Sequence, residues 1–130
     1  MSVSNVELRK QLKRVDNLLH GVGYEFHVAY GSFFIQPKCD NSENPQTWVR
    51  LSVRKNYSPD YNSCKMFFTA EPCRLSGGSG YIDVDFAEAI CSHWKRLLNL
   101  CNTLNAMNIV APEQEIRDLL IDIYSRKRKD

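Results

Sequence analysis

The hydrophobic period of this chain changes twice, and those two changes limit its fold more than any other feature. Up to Val22 apolar residues recur about every 3.6 positions, from Tyr24 to Thr69 about every second position, and after Asp85 the longer period returns. The longer period marks one face of a helix; the shorter one marks one side of a half-buried strand. Helix, strands, helices in that order predict an α+β fold. The expected form is an N-terminal helix, a three- to four-stranded antiparallel meander and two C-terminal helices packed on one sheet face. A length of 130 residues suits a single domain, 1–130.

Local signals set the elements. Ser4 and Glu7 form a capping box before a stripe of Val6, Leu8, Leu12, Val15, Leu18, Leu19 and Val22, opposite Arg9, Lys10, Lys13 and Asp16. Gly21 and Gly23 end that helix. Tyr24, Phe26, Val28 and Tyr30 alternate with polar or small residues, and Gly31 reads as either a tight turn or a bulge. The extended run Ser32–Gln36 follows, up to Pro37, and a polar loop spans Lys38–Gln46. Val49, Leu51 and Val53 form the inward side of the next strand, which leaves Trp48, Arg50, Ser52 and Arg54 outward. Lys65–Thr69 is the last strand of the meander, and Tyr81–Asp85 is a short extended segment.

The second helix is expected to start at Asp85 as N-cap, with Glu88 three residues on. Phe86, Ile90, Trp94, Leu97, Cys101 and Leu104 make its core stripe, and Ala87, Cys91 and Leu98 widen it toward a second neighbour. Pro112 opens the last helix, where its missing N–H costs nothing. Ile116, Leu119, Leu120, Ile123 and Tyr124 face the core, and 126–130 is expected to be a mobile basic tail.

With 43% hydrophobic and 25% charged residues, the chain is neither collagenous, disordered nor a long coiled coil. No apolar run reaches the roughly 18 residues needed to span a bilayer, so no membrane partner is expected. Met1–Asn5 lacks the basic and then apolar regions of a secretory signal. Five irregularly spaced cysteines (Cys39, Cys64, Cys73, Cys91, Cys101) point to free thiols, and a cytoplasmic location is expected. The formal net charge is +2 and the pI near 8.3, too mild to mark a nucleic-acid binder by itself. Local clusters matter more: Arg50 with Arg54, and Arg126–Lys129.

Few motifs carry chemistry. Ser76-Gly77-Gly78-Ser79-Gly80 lacks the Lys and the immediate helix of a phosphate loop and reads as a linker, so no cofactor is expected. No C-x-x-C occurs, and Cys91 and His93 would point to different sides of a helix, so no metal site is expected. Asp83 and Asp85, two apart on an extended segment, share a face and are the place where a small hydrolase or metal-dependent enzyme would hold a divalent cation. A thiol nucleophile would fall on Cys64 or Cys73, near strand ends, with His27 as a base, but no local signature surrounds them. No catalytic residue is assigned.

What stands out is an outward face. Trp48, Arg50 and Arg54 share one side of a strand, with Lys55, Tyr57 and Tyr61 extending the patch. Trp and Arg are the residues over-represented at binding hot spots. The expected function is therefore a non-catalytic binding protein acting stoichiometrically on a macromolecule, with a protein partner first. A small inhibitor or accessory factor of phage or mobile-element type is one such case. Nucleic acid is the alternative, held by the same aromatic and basic groups.

Overall fold

A computed structural model describes residues 5–29, 31–38, 43–73 and 83–128. Its elements are α1 (Asn5–Gly21), β1 (Tyr24–Ala29), β2 (Ser32–Pro37), a short 3-10 helix (Pro45–Thr47), β3 (Val49–Tyr57), β4 (Cys64–Pro72), α2 (Val84–Ala106), β5 (Val110–Ala111) and α3 (Glu113–Arg128). The α+β fold stands, with helix, strands and helices in the expected order. The meander is divided into two sheets: β1–β2 form one antiparallel pair, and β3–β4–β5 form a three-stranded antiparallel sheet. The two-residue β5 lies between the last helices and carries no sequence signal of its own. The Ser4 capping box, Cys39, the glycine-rich run and Tyr81–Ile82 lie outside the described residues, as do the side chains of the basic tail. The backbone of α3 nonetheless continues to Arg128, into the stretch expected to be a mobile tail.

All three helices pack on one side. α1 buries Leu8, Leu12, Val15 and Leu19 completely, each worth about 1.5–3 kcal/mol of transfer free energy. α2 adds Leu97, Cys101 and Leu104, and α3 adds Ile116, Leu120 and Ile123. Tyr24, Phe26, Phe33, Val49, Leu51, Met66 and Phe68 meet them from the strands. The wider stripe expected on α2 does not form among the described residues: Ala87, Cys91 and Leu98 are exposed, and α2 packs chiefly along β4. Gly31 is settled as a hairpin turn, with φ +80° between paired Ala29 and Ser32.

Three polar residues depart from expectation. Asp16, placed on the solvent side of α1 by its charge, is only 1% exposed and accepts a hydrogen bond from the Tyr124 hydroxyl at 2.5 Å. Asp83 is the N-cap of α2, accepting from the Phe86 N–H at 2.7 Å, so Asp85 sits inside the first turn. The cap is an aspartate, as expected, but it stands two positions earlier than Asp85. His93, which the sequence pattern left without a role, is buried with its ring parallel to Tyr24, centroids 5.8 Å apart.

Tyr24 and His93 make a pH prediction. The Tyr24 hydroxyl lies 2.8 Å from the Val49 carbonyl and 3.0 Å from His93 Nε2. A hydroxyl has one proton, and the carbonyl can only accept it, so His93 donates to the Tyr24 oxygen through Nε2–H. Burial first, and then the Arg96 charge, hold the His93 pKa below its ordinary value near 6.5. In the unfolded chain this histidine binds its proton first as pH falls, so stability is complete above about 6.5 and is lost progressively below it. Urea unfolding at pH 7.5 and 5.5 is expected to show that loss, at most about 1.4 kcal/mol per pH unit from one proton. In His93→Gln this contribution to the slope should vanish; an unchanged slope would assign it to other groups.

Candidate binding face

Because the helices share one side, the opposite side of the strands is largely open; α3 borders it only along β1, where Ile121, Tyr124 and Ser125 line a cavity with Glu25, His27 and Gln36. The register defines it. In β1–β2 the outward positions are Glu25, His27 and Ala29, opposite Gln36, Phe34 and Ser32. In β3–β4 they are Arg50, Ser52, Arg54 and Asn56, opposite Glu71, Thr69, Phe67 and Lys65. Phe34 and Phe67 remain 47% and 38% exposed, high for rings on strands whose neighbours enter a core. His27 stands against Phe34 with centroids 4.9 Å apart.

β2 and β3 adjoin without forming a ladder. At one end Lys55 Nζ reaches the Ser32 hydroxyl at 2.5 Å. At the other end the two strands part around a crevice of ≈ 400 Å³, lined by Ile35, Pro37, Val49 and Leu51 with Arg50 beside it. The outward side chains thus line up in rows across both sheets.

The structure separates the residues expected to act together. Arg50 and Arg54 are exposed on the open face, and neither forms an ion pair with a described residue. Trp48 is not with them. It caps the 3-10 helix just before β3, is half-buried, and packs edge-to-face on Phe86 of α2, centroids 6.1 Å apart. The alternation of the strand does not extend to a residue lying ahead of it. Lys55 and Tyr57 fall on the inward side, in phase with Val49, Leu51 and Val53. Lys55, its side chain 15% exposed, lies over the Phe33 ring and pairs with Glu113 Oε1 at 3.2 Å. Tyr57 donates to Glu113 Oε2 at 2.8 Å, which pushes its pKa up to about 12 and holds the Glu113 carboxyl below its usual range. Tyr61 is 77% exposed on the turn after β3, its ring 5.7 Å from Tyr57. Lys55, Tyr57 and Glu113 therefore fasten β3 to α3.

The aromatic component of the face is Phe34 and Phe67, which the sequence pattern did not single out. Both sit inside unbroken apolar runs, Phe33-Phe34-Ile35 and Met66-Phe67-Phe68, where alternation is silent. The hairpin turn was the available signal. A hairpin that pairs Ala29 with Ser32 also pairs His27 with Phe34, and His27 lies between inward Phe26 and Val28.

Other candidate chemistry has other uses. The Asp83 carboxylate is engaged by the Phe86 N–H. Cys64, expected near the surface, is buried at the start of β4, and burial pushes its thiol up, against thiolate formation. Among the described residues no cluster of three His, Cys, Asp or Glu is placed to hold a metal, and no helix is long and apolar enough to cross a membrane.

The outer edges of β4 and β1 are partly engaged. On the far side of β4, Met66 N–H reaches the Ile109 carbonyl, Asn105 clamps both backbone groups of Phe68, and Trp94 Nε1–H reaches the Ala70 carbonyl. On β1, Phe26 N–H donates to the Tyr124 hydroxyl at 2.8 Å. Strand addition at these positions would have to displace those partners, which leaves the open face as the broad surface. Fold and face together define a class: one α+β unit with helices behind a sheet and an aromatic and basic surface in front. Comparison with protein-family models, curated proteins and solved structures found no match.

Proposed function

We propose that this chain is a non-catalytic binding protein that holds a macromolecular partner stoichiometrically on its open sheet face, as a small inhibitor or accessory factor does. The observation that carries this reading is the juxtaposition of two exposed phenylalanines with two exposed arginines that have no described ionic partner. Folding alone gives no reason to keep large rings and unpaired guanidinium groups on one side of a sheet. A partner that buries the rings and pairs the charges does.

Arg54→Glu is the direct test. Its side chain is exposed and makes no described hydrogen bond or ion pair, so the thermal midpoint should move by less than about 2 °C, as for surface substitutions within 0.5 kcal/mol. Tagged wild-type protein should retain a component of a source-cell lysate in fixed ratio, and Arg54→Glu should lose it. Equal retention of that component by both proteins would rule the face out. Trp48→Ala is a poor probe, because the indole packs on Phe86 and its loss would lower stability.

A further inference from the structure

We infer that the partner held on the open face is a single-stranded nucleic acid; this rests on the reading of that face as the binding surface. The rows of outward residues divide it by charge. The end row holds Glu25, Gln36, Arg50 and Glu71, and it contains both carboxylates of the face. Beyond it come His27, Phe34, Ser52 and Thr69, then Ala29, Ser32, Arg54 and Phe67, then Asn56 and Lys65. These three rows carry the exposed rings and two cations with no acid among them. Arg54 and Lys65 form no ion pair with a described residue, so an anionic ligand meets charge that is not already neutralised.

Ring type and placement select among anions. Protein hot spots draw on Trp and Tyr, whose polar atoms fix a partner's orientation. Phe34 and Phe67 offer only their hydrocarbon rings, which suits base stacking because every base has a π-face. Phe67 is directly opposite Arg54, so one ring and one guanidinium stand on adjacent strands at roughly 5 Å separation. That places a stacking surface next to a phosphate partner. Bases paired within a duplex are already stacked on one another and cannot reach such rings, so a single strand is preferred. Ser52, Thr69 and Asn56 supply hydrogen-bonding groups between these points without adding negative charge.

The test uses the full chain and fluorescently labelled oligo(U) and oligo(dT), with a duplex of equal length as the comparison. Wild type should bind the single strands more tightly than the duplex, and log affinity should fall linearly with log salt. Arg54→Ala should reduce that salt slope by about 0.7, one single-strand phosphate contact. Phe67→Leu, which keeps apolar bulk and removes the ring, should weaken binding about ten-fold with the salt slope retained. No binding, equal duplex binding, or affinity independent of salt would overturn the inference. If the oligonucleotides fail while Arg54→Glu abolishes nuclease-resistant capture of a protein in fixed ratio, the face is a protein-binding surface and only the nucleic-acid assignment falls. If both fail, the reading of the face falls with it.

Discussion

Tyr124→Phe is expected to lower the unfolding free energy by about 2–4 kcal/mol, far more than the loss of one exposed hydroxyl would. The hydroxyl serves two elements at once. It donates to Asp16 Oδ1 on α1 and accepts the Phe26 N–H from the edge of β1. Its removal leaves an edge-strand N–H without that acceptor and takes a donor from a carboxylate that is 1% exposed. His20 Nε2 stands 3.3 Å from the same Asp16 oxygen and makes up only part of that loss. Burial, and then the bond to Asp16, raise the Tyr124 pKa well above its ordinary value, so the hydroxyl keeps its proton and the effect should not vary near neutral pH. Urea unfolding with an unchanged slope would register the change as stability alone. A loss below about 0.5 kcal/mol would show that the hydroxyl is readily replaced. Asp16→Asn combined with Tyr124→Phe should give a coupling of at least 0.5 kcal/mol, as expected for residues in direct contact.

The same contact shows where the sequence was legible and where it was not. Periodicity placed Leu8, Leu12, Val15 and Leu19 on the buried side of α1, and all four are fully buried. Each depends on its own spacing and needs no knowledge of the rest of the chain. Asp16 lies beside Val15 near the edge of that stripe, and its burial depends on a tyrosine 108 residues away. No local pattern carries that information. The candidate face divides in the same manner. Arg50 and Arg54 were legible because they alternate with Val49, Leu51 and Val53. Phe34 and Phe67 were hidden in apolar runs, and only pairing to His27 and Arg54 turns them outward. Trp48 shows the converse error, since an alternation extended one residue ahead of the start of β3 places in front a ring that packs on Phe86 of α2. Division of the strands into two sheets was also beyond the pattern, because each strand reads alike whether its neighbour is bonded or only adjacent.

Asn105→Ala is expected to cost about 2–3 kcal/mol, because one side-chain amide satisfies both backbone groups of a core strand residue. Asn105 Oδ1 accepts the Phe68 N–H at 2.8 Å, and Nδ2 donates to the Phe68 carbonyl at 3.0 Å. These groups face away from β3, where another strand would otherwise pair, and β5 reaches only Cys64 and Lys65. Alanine leaves both without partners beneath α2, at a cost that should not depend on pH. Asn105→Asp separates the two bonds. A carboxylate still accepts the Phe68 N–H, but its second oxygen then faces the Phe68 carbonyl, oxygen to oxygen. That repulsion raises the folded-state pKa of the new carboxyl above its unfolded value near 3.9. A group raised on folding adds stability below its unfolded pKa and loses it as pH rises through the folded one. Relative to wild type, Asn105→Asp should therefore be least stable near neutral pH and should recover on acidification, when its protonated oxygen can donate to the carbonyl. Unfolding midpoints for the three proteins between pH 7 and pH 4 would show it: a constant deficit for alanine, a closing one for aspartate. Parallel deficits for both would mean that the Phe68 carbonyl finds another donor and that only the N–H half of the clamp contributes to stability.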